Sequence, residues 1–190
     1  MTTLANSNKG DAGLEGSTTE AKIDGEETQG VKWVTIEDAV KKNKETPKKI
    51  FIDVYTTWCG WCKKMEKTTF QDPQVVKYLN DHYYSVKLDA ERKDTIMFNG
   101  KPHTFNAGYK SHELAVKMLD MRMSYPTTVY LDENNNRIGK RPGFLDASKL
   151  LMILTYYGEN HHKEITFEKY QKTYAESHPE VAPGQQMKKK

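Results

Sequence analysis

The stretch Lys-Ile-Phe-Ile-Asp-Val-Tyr, residues 49–55, constrains the fold more than any other part of the chain. A strand with one wet face alternates apolar and polar residues, whereas this run is apolar on both faces and needs cover on both. It is therefore predicted to lie at the centre of a sheet with helices on either side. A single acid, Asp53, interrupts it. Burying a carboxylate is costly without a partner, and burial raises its pKa into a range useful for accepting a proton. Asp53 is thus a candidate functional residue, with a purely structural ion pair as the alternative.

The only two cysteines of the 190 residues follow that strand at once, in Trp58-Cys59-Gly60-Trp61-Cys62. Two cysteines exclude a disulfide-stapled scaffold. A structural zinc site would need two further ligands, and the adjacent His161 and His162 lack the usual ligand spacing, so a redox dithiol is the favoured reading. A Lys/Met/Glu-rich helix is expected from the pair to about Thr69. Its N-terminus offers unpaired N–H groups and positive partial charge to the first sulfur, which makes Cys59 the candidate nucleophile. Cys62, one turn on, is the candidate resolving thiol. Glu66 falls on the same helical face as both sulfurs, where a solvated acid is the competing interpretation.

Start and stop signals place the remaining elements. Thr35 with Asp38 predicts a helix over 36–44, and Asp72-Pro73 opens another to about Tyr83. Residues 84–89 form a second buried strand. Residues 91–110 are an irregular insertion, since Pro102 weakens the hairpin signal at Asn99-Gly100; its tip is expected to be free and to help choose substrates. Ser111 caps a helix to about Met121, residues 127–131 and 137–141 are strands, and Asp146 caps a helix ending near Gly158. This order predicts an α/β fold of three layers, with a central mixed sheet between helices. Met97, Met118, Met121 and Met123 are expected to fill the core.

Residues 1–30 hold no aromatic residue and five of the 12 glycines, and read as a disordered leader or tether. The domain proper spans 31–160. Residues 161–190 are a C-terminal extension, with one surface helix over 164–177 and a frayed basic tail. The 29 basic and 26 acidic residues give a net charge of +3, too balanced for a nucleic-acid surface. The densest apolar run, 150–154, is far too short to span a bilayer.

Trp58-Cys59-Gly60-Trp61-Cys62-Lys63 after a strand, with Tyr125-Pro126-Thr127 before a later one, resembles the thioredoxin superfamily over residues 31–160. The resemblance implies a thioredoxin fold. It also implies that Pro126 is cis and faces the dithiol, with Trp58, Gly60, Trp61 and Tyr125 beside it to receive substrate backbone. Asp53 matches the buried acid that exchanges protons with the resolving cysteine, and Lys87 the strand lysine that pairs with it. The stretch from Asp53 through Glu66 and Phe70 to Asp72-Pro73 is similar to the C-terminal domain of DsbD-type membrane reductases. There an acid at the Glu66 position helps to tune the thiols. Tyr125-Pro126-Thr127 and Lys87-Leu88-Asp89-Ala90 look more like protein disulfide isomerase domains.

The implied activity is thiol:disulfide exchange on disulfide-containing proteins, reducing or reshuffling them, without metal or organic cofactor. An upstream dithiol, in the family often a membrane reductase, supplies electrons. The chain is expected to be a monomer and an exported, periplasmic protein whose signal is missing from the present sequence, with a cytoplasmic location as the alternative. Two rival functions stay open: an isomerase or oxidase, and a redox-inactive peptide-binding module on the same fold.

Overall fold

The computed structural model describes residues 30–178. The expected leader, apart from Gly30, and the expected basic tail lie outside these residues.

The first half of the chain is a strand β1 (Trp33–Val34), helix α1 (Ile36–Glu45), strand β2 (Lys49–Tyr55), helix α2 (Gly60–Lys67), a 3-10 turn (Thr69–Gln71), helix α3 (Pro73–His82) and strand β3 (Tyr83–Asp89). The helix starts follow from their caps. The Thr35 hydroxyl accepts the Asp38 amide at 3.1 Å, and the Asp72 carboxylate accepts those of Gln74 and Val75, with Pro73 at the first helical position. Strand β1 was not expected: two residues carry no period, and they join the sheet by parallel pairing with Ser85 and Val86 of β3.

The insertion is more regular than predicted. Strands β4 (Ile96–Phe98) and β5 (Lys101–His103) form a hairpin around Asn99-Gly100, both at positive φ. That conformation suits a two-residue turn between twisted strands. In such a hairpin Phe98 and Lys101 exchange the ladder bonds, so Pro102, opposite Met97, sits where no amide is needed. Ile96 and Phe98 are buried against α1, while the tip at Asn99-Gly100 is exposed. Met97 and Met121 are exposed, and of the four expected core methionines Met118 is the one fully buried.

Strands β6 (Phe105–Asn106) and β7 (Ser111–His112) form a second small ladder that leads into α4 (Glu113–Met118). Ser111 is therefore strand, not cap. The cap is His112, whose Nδ1 accepts the Leu114 amide, and the helix ends early because Asp120 and Met121 adopt positive φ. Then come β8 (Thr127–Leu131), β9 (Arg137–Pro142), α5 (Ala147–Gly158), a 3-10 turn (His161–Lys163) and α6 (Phe167–Ser177). Helix α6 begins at its Thr166 cap and buries Tyr170 and Tyr174, so it belongs to the core more than a surface helix would.

The main sheet has the order β1-β3-β2-β8-β9, with β2 parallel to β3 and antiparallel to β8. The mixed, helix-covered sheet is the one predicted. Ile50, Ile52 and Val54 join the core under α1 and α4; Phe51 joins the other, beneath α2, α3 and α5. Because strand side chains alternate, Asp53 points to the same side as Phe51, under α2. On that side Tyr157 of α5 stacks on Tyr130 at 4.5 Å, and any Cβ on Gly139 of β9 would run into the Tyr157 ring. Gly139→Ala is expected to lower stability by about 1–3 kcal/mol, since the ring has no room to retreat. An unchanged urea midpoint would contradict this packing.

Candidate functional site

Strand β2 ends at Tyr55, and the next residues turn sharply enough for the Cys59 amide to donate to the Thr56 carbonyl at 3.2 Å. Cys59 thereby becomes the N-cap of α2, and the Cys62 amide donates to Cys59 Sγ at 3.1 Å. The two sulfurs are joined as a disulfide. No acid lies in the first turn of α2, so the free amides and the positive helix end act on the Cys59 sulfur unopposed. Both cysteines are almost covered, 5% and 6% exposed, whereas the flanking Trp58 and Trp61 are 64% and 57% exposed.

Beneath α2 lies a cavity of about 170 Å³ that reaches Cys62 but not Cys59. Asp53 forms part of its floor, paired in register with Lys87 of β3 and Thr128 of β8. The carboxyl is 3% exposed, and its Oδ1 has no hydrogen-bond partner among the described residues. Burial pushes its pKa from 3.8 up to about 7, opposed by the positive charge of Lys87. Burial lowers the Lys87 pKa in turn, opposed by the charge of Asp53.

Lys87 forms an ion pair with Glu66, which α2 brings into the same cavity. Its ammonium also lies 5.2 Å from the ring centroids of both Trp33 and Tyr55. One cation thus stands between two carboxylates of different burial. Asp53, Lys87 and Glu66 line the same cavity as Cys62, which opens to solvent past Lys63 and Lys67. Trp33 and Tyr55 escaped sequence reasoning, because one lies on a strand without a pattern and the other passes for core.

On the solvent side, the structure brings the two distant motifs together. The Trp58 and Tyr125 rings meet edge to face at 5.9 Å, and the Tyr125–Pro126 peptide bond is cis. Trp58 Nε1 donates to Glu91 at 3.1 Å, and the Tyr125 and Ser111 hydroxyls are 3.4 Å apart. The Pro126 carbonyl accepts the Gly143 amide at 2.8 Å. Trp61 leans instead on Phe144 at 5.5 Å, with the Lys64 ammonium 4.9 and 5.0 Å from the two rings. Gly60 is open, with space for a Cβ. Glu91, Lys64 and Phe144 carried no sequence signal and Ser111 only that of a helix cap, since the part each plays here depends on the aromatic ring beside it. Among the described residues no three His, Cys, Asp or Glu are grouped to hold a metal ion, and no helix is long and apolar enough to cross a membrane.

Fold and site together define a dithiol carried on a helix N-terminus above a buried acid. The thioredoxin-like domain family model matches residues 36–158, and the chain belongs to that family. It is 35% identical over 60 residues, 32% of its length, to an uncharacterized protein of Caenorhabditis elegans. It is 31% identical over 109 residues, 56% of its length, to the thiol:disulfide interchange protein DsbD of Yersinia enterocolitica. These matches span 8% and 16% of the two relatives. Among solved structures, the DsbH oxidoreductase superposes with a TM-score of 0.51 at 14% identity, covering 79% of this chain and 95% of that one. A thioredoxin from Thermus thermophilus gives 0.52 at 17% identity, covering 72% and 99%. At these identities the two structures show the fold alone.

Proposed function

We propose that this protein is a thiol:disulfide oxidoreductase that reduces or reshuffles disulfides in other proteins. The observation that carries the reading is the division of the dithiol: Cys59 caps α2, while Cys62 faces the cavity that holds the buried acid Asp53. In the reduced protein the Cys59 thiolate attacks a substrate disulfide. One substrate sulfur leaves with the electron pair as a thiolate, and Cys59 is left in a mixed disulfide. Cys62 then gives its proton towards Asp53 and attacks Cys59. The Cys59–substrate bond breaks, the second substrate sulfur leaves as a thiolate, and the Cys59–Cys62 disulfide closes. Two electrons have passed to the substrate. Lys87 and Glu66 set the charge around this transfer.

Trp58, Gly60, Trp61, Tyr125 and Pro126 form the substrate face in this reading. The exposure of the two tryptophans and the contact between Trp58 and Tyr125 support it. Re-reduction calls for an upstream dithiol donor, and the name of the Yersinia relative, a thiol:disulfide interchange protein, supports such a partner. An exported, periplasmic location is part of the same proposal. Within the chain, 31–160 act as the catalytic unit, 91–110 as an insertion braced against it, and 161–190 as an extension. The protein works as a monomer.

No imidazole stands between the cysteines to favour the Cys59 thiolate further, which inclines the couple towards reduction. Equilibration with glutathione buffers is expected to give a reduction potential below about −200 mV, together with catalysed reduction of insulin by dithiothreitol. A potential near about −120 mV would make the protein an oxidant instead. Failure to turn over any disulfide would leave only a peptide-binding module.

A further inference from the structure

The two exposed tryptophans beside the dithiol stand in opposite charge surroundings. Trp58 Nε1 donates to the Glu91 carboxylate at 3.1 Å, and the Glu91 amide donates in turn to the Asp89 carboxylate at 2.9 Å. Trp61 faces cations instead. The helical repeat sets Lys64 beside it, with the ammonium 4.9 Å from the Trp61 ring and 5.0 Å from that of Phe144. Lys63 and Lys67 continue the exposed face of α2, whose one acid, Glu66, is already taken by Lys87. Among the described residues none of these three lysines has a carboxylate within ion-pair distance. Ring contact orients the Lys64 ammonium without neutralising it.

This patch is tied to the rest of the substrate face. The Gly143 amide donates to the Pro126 carbonyl at 2.8 Å, and the Thr69 hydroxyl donates to the Leu145 carbonyl at 2.6 Å. Phe144 is thereby pinned between the cis-proline and the turn that follows α2. A substrate segment laid on Pro126 is within reach of Phe144, Trp61 and Lys64.

We propose that this lysine-edged aromatic pair receives acidic residues next to the reacting cysteine of the substrate, so that the protein acts preferentially on disulfides in acidic segments, with Lys64 as the specificity-determining residue. The inference rests on the reading of the dithiol as a thiol:disulfide oxidoreductase and adds the class of substrate. An Asp or Glu arriving over Trp61 meets an ammonium that two rings already orient, and the rings shield the pair from water more than an open surface would. A basic segment brings like charge against three uncompensated lysines. A purely apolar segment would cover the rings and strip water from Lys64 without giving it a partner. Glu91 does not supply the missing charge, because its carboxylate is engaged at the Trp58 and Tyr125 pair.

The test uses two short peptides, each with a single cysteine in disulfide linkage to nitrothiobenzoate, that differ only in carrying aspartate or lysine on both sides of that cysteine. The Cys59 thiolate of the reduced full chain attacks the peptide sulfur and forms the mixed disulfide. The aromatic thiolate, the better leaving group, departs with the electron pair of the broken bond and gives the colour that is read. Each rate is divided by that of dithiothreitol on the same peptide, which removes the peptide's own reactivity. At an ionic strength of about 20 mM the aspartate peptide is expected to be favoured about tenfold, falling to about twofold or less near 500 mM, where exposed charges are screened. Lys64→Glu is expected to bring the low-salt preference to about unity, and Lys64→Arg to keep it. The preference is a ratio within one variant, so a general change in folding or in Cys59 cancels. A low-salt preference under about twofold in the parent, or one of tenfold that survives Lys64→Glu, would overturn the proposal. Self-association that Lys64→Glu abolishes would make a second copy the occupant and overturn it too. Reaction with neither peptide would remove the oxidoreductase reading itself, and the substrate class with it.

Discussion

Cys62→Ser is expected to turn the protein into a trap that accumulates with its substrate in a mixed disulfide through Cys59, while Cys59→Ser loses turnover altogether, by a factor of about 10³ or more. The asymmetry follows from position. Cys59 is the cap of α2 and collects the helix amides, whereas Cys62 is one turn inside the helix and faces the cavity beneath it. The helix N-terminus thereby favours the thiolate of the first sulfur over that of the second. Without Cys62 the attack still takes place, but nothing nearby can displace the substrate. The measurement is non-reducing electrophoresis with mass spectrometry of the adduct, alongside insulin turnover. Faster alkylation of Cys62 than of Cys59 in the reduced protein would reverse the two assignments.

Asp53→Asn is expected to move stability and rate in opposite directions. In the folded protein the carboxyl titrates at about 7 instead of 3.8, chiefly because it is buried, with Lys87 acting against the shift. The folded state therefore binds this proton more tightly than the unfolded state. The resulting stabilisation is complete below about pH 4 and is lost as the pH rises to about 7. Above that, the folded chain carries a buried charge at a cost of roughly 4 kcal/mol. Asparagine fills the same space without ionising, and Lys87 keeps its pairing with Glu66. The variant should thus be more stable than the parent at pH 8 by that order, with the slope between pH 4 and 7 removed. Release of the mixed disulfide should slow by about a hundredfold, because an amide cannot take the proton from Cys62. Urea melts across pH and single-turnover release check both. A lower melting point at pH 8 with unchanged release would mean that Asp53 serves only as a structural ion partner.

Much of the fold was legible because its signals are short in range. The apolar run 49–55 became the central strand with the bounds expected, and the caps Thr35, Asp72 and Asp146 opened the helices they were expected to open. The insertion was less legible. Pro102 argued against a hairpin that forms because the proline falls at a non-bonded pair, a matter of register that only the partner strand decides. Ser111 looked like a cap by residue type, yet Asn106 claims it for a ladder and leaves the role to His112.

The site divides in the same way. The dithiol, its place at a helix start and the misfit acid Asp53 depend on neighbours within a few residues, so they can be read along the chain. The ion pair of Lys87 with Glu66, the bracing of Trp58 by Glu91 and the leaning of Trp61 on Phe144 join residues 21, 33 and 83 positions apart along the chain. No local periodicity marks such partners. They exist because β3 lies beside β2 and because α2 crosses that pair of strands. The tertiary structure alone decided which charges share a cavity, since burial and proximity are properties of the packed sheet and not of any segment within it.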